Sequence, residues 1–304
     1  MVHNMAKWFA EQGHTVNVLC PSNMGPKKHI LEGVTVYCQH GNAEITDKLY
    51  KKADFVLTHL DLSAEVQHRC REYGKKFLYL SHNPKSWSFW NVQNHLVSMA
   101  IHNSHWLKQT LGPTVTCPSH VLYPPVFVAD HETPKKDSFI TLVNMNLNKG
   151  AEQFKAMAAN LPQYKFLGVV GAYDAQKTEQ LPPNLTLHPH TPDMRNDIYA
   201  KTAITVMPSL QETWGMVGIE SFCSGTPVIA NPTLGLMEAL GDAGLYADRN
   251  KVSVWCALID RLMTDKDFYN YQSALARKRA EDLEVRCRKQ LKRLEERLVE
   301  LLNV

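Results

Sequence analysis

No run of apolar residues in this chain approaches the ~18 that a membrane-spanning helix requires. The opening stretch "MVHNMAKWFAEQGH" is amphipathic where a secretory leader would be uniformly apolar. No Cys-x-x-Cys spacing occurs. The seven cysteines (Cys20, Cys38, Cys70, Cys117, Cys223, Cys256 and Cys287) are scattered and odd in number, so they do not form a disulfide framework. A reducing, cytoplasmic setting with no integral membrane segment is expected. Neither sign of charge dominates. The net charge of +3 lacks the strong basic excess of a domain that grips a nucleic-acid backbone.

Several catalytic signatures are also missing. "GVVGAY" at 168–173 falls short of a Gly-x-Gly-x-x-Gly dinucleotide fingerprint. There is no serine nucleophile elbow and no Walker lysine loop. Although the chain has 14 histidines, His188 and His190 have no carboxylate or cysteine companions at ligand spacing, so no metal site is expected. No internal repeat and no low-complexity tract is found.

What remains is ordinary globular composition, 44% apolar and 21% charged over 304 residues, a length that suits two domains. Short β-branched or aromatic runs recur: "TVNVLC", "VTVYC", "DFVLTHL", "KKFLYLSH", "MAIHNS" and "VLYPPV". A second series reads "FITLVN", "YKFLGVVG", "LTLHPH", "AITVMPS", "TPVIAN" and "GLYAD". Helical patterns separate most of them. Such alternation argues for an α/β chain of two doubly wound, Rossmann-like domains with parallel sheets. Pro124, Pro125, Pro134 and a Lys-Lys pair break the pattern, so the expected division is a first domain over 1–125, a linker over 126–138 and a second domain over 139–270. C-terminal helices over 271–304 follow, packing back toward the first domain on a stripe of Leu283, Cys287, Leu291, Leu294, Leu298 and Leu301. The first domain opens on a helix, with Met5, Trp8 and Phe9 on one face and Gly13 beyond its end. The strand that usually opens and centres such a sheet is absent.

The segment "QETWGMVGIESFCSGTPVIA", residues 211–230, draws attention because Glu212 and Glu220 flank a stretch of small and apolar residues. A strand, a turn, a helix over about Trp214–Ser224 and a second strand are predicted. Ligands in such sheets lie at the carboxyl ends of strands, against the next helix N-terminus, where first-turn amides and the helix dipole favour an anion. Helical geometry would separate the two carboxylates by ~12 Å along the axis and ~80° around it. Two accounts fit: a capping Glu212 with a solvated or ion-paired Glu220, or a pair of carboxylates that bond hydroxyls on either side of a diphosphate.

The wider wording, "MPSLQETWGMVGIESFCSGTPVIA", closely resembles the donor segment of retaining glycosyltransferases of the GT-B fold, glycosyltransferase family 4. The likeness continues through "GLMEALGDAGLYADRN", "NLTLHPHTPDMRNDIYAK", "NLNKGAEQFKAMAANLPQYKFLGVVG" and "LYPPV", and more loosely through "SHNPKSW" and "HNSHWLKQTL". That resemblance implies two domains facing a cleft, the second holding a nucleoside-diphosphate sugar, a uridine diphosphate sugar by family preference, without metal or further cofactor. It implies that Glu220 holds the ribose, and that Glu212 with the backbone of Trp214, Gly215, Met216 and Val217 holds the donor sugar. Lys149, followed by Gly150, is implied to hold the diphosphate, and the loop carrying His190, Thr191 and Met194 to read the base.

Many relatives place an arginine five residues before the lysine, where this chain has Asn144. Either Arg195 or a first-domain lysine such as Lys85 supplies that cation, or Lys149 and amides act alone. In the first domain His82 is implied to reach the donor sugar or the acceptor, with Trp87 and Trp90 as a stacking surface. The acceptor is an unidentified hydroxyl: a sugar, a small molecule or a modified nucleic-acid base. A nucleotide-sugar-binding protein without transfer activity is the rival expectation.

Overall fold

The computed structural model describes residues 1–20, 26–38, 42–84, 92–134 and 138–303. They form two compact units: Met1–Pro125 with Cys287–Val304, and Val126–Arg286.

In the first unit a helix, Val2–Glu11, buries Met5, Ala6 and Trp8. Strands β1 (Asn17–Leu19), β2 (Lys28–Leu31) and β3 (Val34–Tyr37) follow, then β4 (Phe55–Thr58), β5 (Lys76–Ser81), β6 (Met99–His102) and β7 (Ser119–Val121). Among the described residues these strands fall into two sheets. β1-β3-β2 make a three-stranded sheet and β4-β5-β6-β7 a separate parallel one. In the doubly wound order the first strand lies between the second and the fourth. β2 was not anticipated: it pairs antiparallel with β3 through a turn at Glu32 and Gly33, both at positive φ. The four-stranded sheet is apolar on both faces, with the last five residues of β5 and all of β6 buried, as parallel strands require.

The second unit is more regular. Its strands are β8 (Phe139–Val143), β9 (Phe166–Val169), β10 (Leu185–His188), β11 (Thr202–Met207), β12 (Val228–Ala230) and β13 (Leu245–Tyr246), all parallel in the order β10-β9-β8-β11-β12-β13. This is the 3-2-1-4-5-6 order of a doubly wound sheet, and the order of succession reverses between β8 and β11. β11 is buried along its whole length, and Ile204 and Val206 join Ile140, Leu142, Phe154, Phe166, Ile229 and Trp255 in the core. The helix Ala151–Asn160 turns Ala151, Phe154, Met157 and Ala158 inward at helical spacing. Truncation of a ring as buried as Phe154 costs about 3–5 kcal/mol. Trp255 keeps its ring in the core because its Nε1 donates to the Asp248 carbonyl at 2.9 Å.

The stretch expected as a linker, 126–138, lies in the second unit where described. It carries the helix Val128–His131, and the Val128 amide donates to Glu284 Oε2 at 2.8 Å. Beyond it the chain ends in a single helix, Lys266–Leu302, that starts earlier than expected. Its residues to Arg286 belong to the second unit and those from Cys287 to the first. Leu283, Cys287, Leu291 and Leu294 are buried along it.

Gly150 sets how closely the loop after β8 approaches the loop after β11. Its φ is +88°, and a Cβ there would stand 2.6 Å from Pro208. Gly150→Ala is expected to destabilise the protein by about 1–3 kcal/mol, through left-handed strain and the clash together. Gly74→Ala, at φ +62° with open space around it, bears only the first of these. Thermal unfolding of both variants checks this, and equal losses would contradict it.

Candidate functional site

At the end of β8 the backbone turns at Asn144, φ +72°, a conformation that asparagine tolerates better than most residues. The amides of Asn144 and Met145 both reach the Val169 carbonyl, at 2.9 and 3.2 Å. Asn146 Oδ1 then accepts from the Lys149 amide at 2.8 Å, closing a short loop that aims the lysine side chain. On the neighbouring strand, β11 ends at Met207 and Pro208 leads to Glu212. The Lys149 ammonium donates to Glu212 Oε1, and Ser209 Oγ donates to the same oxygen at 3.2 Å. Both side chains of the pair are mostly enclosed, at 18% and 12% exposure. Burial alone would lower the lysine pKa. The Glu212 carboxylate and the Tyr173 hydroxyl outweigh it and hold the ammonium above the usual lysine value.

The helix after this loop runs Met216–Cys223, two residues later than expected. Gly215 precedes it at φ +98°, and a Cβ there would stand 2.4 Å from Leu236. The expected axial separation therefore does not apply, because Glu212 lies in the loop and not on the helix. Trp214 turns into the core at 2% exposure. The first-turn amides belong to Met216, Val217 and Gly218, and that of Gly218 bonds the Gly215 carbonyl at 3.1 Å. Glu220 stands further along the helix. Its Oε2 accepts from the Tyr199 hydroxyl. Burial first, and then the Glu220 charge, push the Tyr199 phenol well above its ordinary pKa, so it stays a donor and orients the carboxylate.

These groups line a cavity of about 280 Å³ at the carboxyl ends of β8 and β11. Asn144, Lys149, His190, Thr191, Met194, Glu212, Val217 and Glu220 all meet there, with Ser209, Gly171 and Tyr173. Gly150, Trp214, Gly215 and Met216 are not among its lining residues. The loop after β10 is braced internally: Thr191 Oγ1 donates to Asp197 Oδ2 at 2.6 Å, and Asp193 caps the turn through the Asn196 amide. Arg195, one of the candidate second cations, points elsewhere, its Nε donating to the Glu132 carbonyl at 2.7 Å. Sequence reasoning missed Tyr199, Tyr173 and Ser209. Ser209 sits inside the Pro-Ser pair that precedes Glu212, whereas no spacing rule points to either tyrosine.

In the first unit His82 follows β5 and His59 follows the adjacent β4. His82 Nε2 and His59 Nδ1 stand 3.0 Å apart. Burial, with the neighbouring His59 adding to it, brings His82 down to about 4, so it is neutral at physiological pH. Leu60, at φ +56°, turns the chain after His59 and is held by Ser63 Oγ donating to its carbonyl at 2.6 Å. His59 was not anticipated. Lys85, Trp87 and Trp90 lie outside the described residues. Among the described residues no cluster of three or more His, Cys, Asp or Glu side chains is placed to hold a metal ion, and no helix is long and apolar enough to cross a membrane.

Residues 137–265 match the family model "Glycosyl transferases group 1". Over 83 residues the chain is 34% identical to the D-inositol 3-phosphate glycosyltransferase of Corynebacterium urealyticum, a match covering 27% of this chain and 20% of that protein. It is 35% identical over 81 residues to the enzyme of the same name from Rhodococcus opacus, covering 26% and 18%. The matched stretch thus spans about a fifth of the length of these curated relatives. Among solved structures, sucrose-phosphate synthase from Thermosynechococcus elongatus superposes with a TM-score of 0.80 at 16% identity, covering 98% of this chain and 92% of that one. Anabaena HepE in complex with UDP-glucose gives 0.70 at 15% identity, covering 84% and 81%. These likenesses show the fold: two Rossmann-like α/β units of the GT-B class.

In the ligand-free protein a double-mutant cycle on Lys149→Ala and Glu212→Ala is expected to give a coupling of about 1–2 kcal/mol. The folded-state pKa of Lys149 is raised, so this contribution is fully present below the ordinary lysine value. It is lost as pH rises through the higher folded value. Denaturation of the four proteins at neutral pH and at a pH well above the ordinary lysine value of 10.5 checks both parts, and a coupling that vanishes at neutral pH would contradict the account.

Proposed function

We propose that the second unit binds a nucleoside-diphosphate sugar, with uridine as the favoured base, and that the protein transfers the sugar to a hydroxyl acceptor without a metal ion. The observation that carries this reading is the arrangement along one cavity. Glu220, Glu212 and the Lys149 ammonium paired with Glu212 all line it, together with Val217 from the first turn of the helix Met216–Cys223. In the proposed complex Glu220 bonds the ribose hydroxyls, oriented for that by Tyr199. The base lies against the loop of His190, Thr191 and Met194. Lys149 and the helix N-terminus hold the diphosphate, and Glu212 positions the sugar. The sequence match to glycosyltransferase group 1 proteins and the UDP-glucose complex of HepE, a structural neighbour, both support this choice of donor.

The chemistry follows from charge. As the anomeric carbon–oxygen bond to the diphosphate breaks, the leaving group gains negative charge, and a fixed ammonium with helix-terminal amides stabilises it where it develops. The acceptor oxygen bonds the anomeric carbon from the same face while its proton passes to the departing phosphate, so configuration is retained and no side-chain nucleophile is required. Glu212 is then an orienting group. The neutral His82 imidazole is proposed as the first unit's contact to donor sugar or acceptor, with His59 holding its ring.

Glu220→Ala is expected to weaken donor binding by about 1.5–3 kcal/mol, the range for hydrogen bonds to a charged group. Calorimetric titration with the donor checks it, and unchanged affinity in a folded variant would overturn the ribose assignment. Lys149→Ala is expected to lower turnover by about 10²–10³, as the loss of a transition-state charge contact does. Nucleoside diphosphate release in the presence of an acceptor panel reads this out. Release only by slow hydrolysis in the wild-type protein, with no transfer product, would favour a binding protein over a transferase.

A further inference from the structure

Lys149 is the only lysine or arginine among the described lining residues of the cavity, and it already faces Glu212, with Glu220 a second carboxylate nearby. A diphosphate entering this space meets one cation besides the helix-terminal amides, so a further side-chain donor would strengthen its hold. Asn144, in the cavity lining, adds no charge and offers only the neutral donor Nδ2. Its side chain is buried, and its Oδ1 accepts from Asn146 Nδ2 at 3.0 Å and from Gln176 Nε2 at 2.8 Å. Gln176 completes a lock between two loops: Nε2 also donates to the Tyr173 carbonyl and Oε1 accepts from the Gly171 amide, both at 2.8 Å. Gly171 permits the approach, since a Cβ there would stand 2.3 Å from the Asn144 carboxamide. The Lys177 amide ties the far end of the loop to the Met145 carbonyl at 2.6 Å. The lock therefore fixes the segment that carries Tyr173 against the segment that carries Lys149. Tyr173 lines the cavity, yet its side chain is largely exposed, so it has a surface free for a ligand.

We propose that Tyr173 is a donor-binding residue whose phenol hydroxyl donates to the sugar-proximal phosphate that Lys149 holds, compensating charge that a single ammonium leaves unmatched. This rests on the nucleotide-sugar reading of the cavity. A neutral O–H donating to a phosphate oxygen makes a short, charge-assisted bond. Lining the same cavity as the ammonium, it acts on the phosphate that a nucleoside monophosphate lacks.

The test is calorimetric titration of wild type, Tyr173→Phe and Tyr173→Ala with the diphosphate and monophosphate of one nucleoside, uridine first and then guanosine, adenosine and thymidine. Tyr173→Phe is expected to lose about tenfold in affinity for the diphosphate and to keep the monophosphate affinity within about twofold. A structural role would weaken both ligands together. Diphosphate affinity unchanged in Tyr173→Phe, in a wild type that binds it, overturns this proposal alone. So does an equal loss of both ligands in Tyr173→Ala with none in Tyr173→Phe, which would make the ring a base-stacking surface. A wild type that binds no nucleotide overturns the cavity reading and this proposal with it.

Discussion

The Lys149 ammonium and the Glu212 carboxylate meet where the strand order of the second unit's parallel sheet reverses, and most of the local structure serves to bring them there. β8 and β11 are hydrogen-bonded neighbours, so the loops that leave them begin side by side. The seam between these loops is tight: the Leu210 amide donates to the Asn148 carbonyl at 2.7 Å, and Gly150 closes on Pro208. A partly buried ion pair adds modestly to stability, because removing two charges from water offsets much of their attraction. Its larger effect here is positional. Each charge holds the other at the carboxyl edge of the sheet, where doubly wound proteins bind ligands, and an incoming anion competes with Glu212 for the ammonium.

The second unit was largely legible in the sequence because its local signals agree. β11 is a β-branched run bounded by Pro208, and the helix that ends near Gly225 has that glycine at φ +62° just past its last residue. Lys149 and Glu212 could be singled out because each stands at a junction between strand and helix, and Glu220 because it lies on the helix that follows. The exact start of the helix was not legible. Gly215 adopts a left-handed conformation and lies so close to Leu236, more than 20 residues away in the chain, that a Cβ would stand 2.4 Å from it. Tyr199 was invisible for a similar reason: its hydroxyl meets Glu220 only after the chain has crossed the sheet through β11.

The first unit was harder to read. β2 is short and half exposed, its Ile30 lying on the surface, so its pattern is weak, and only the two-residue turn at Glu32 and Gly33 marks the hairpin. The strands themselves were found, but strand propensity carries no information about which sheet a strand joins. That depends on the neighbour available to pair with. β4 pairs with β5, and β1 with β3, because each has a parallel partner in reach on one side. His59 and His82 are brought together by the same logic: both follow the carboxyl ends of adjacent strands, although 23 residues separate them in the chain.

The central claim is that the cavity at the ends of β8 and β11 is a nucleotide-sugar site. A ligand that binds only the folded protein stabilises it by about 2.7 kcal/mol at one hundred times its dissociation constant. A thermal-shift screen of the wild-type protein against uridine, guanosine, adenosine and thymidine diphosphate sugars measures this directly. The account predicts that at least one of them, the uridine compound first, raises the melting temperature by several degrees in a concentration-dependent way. No shift with any of the four at millimolar concentration would contradict it.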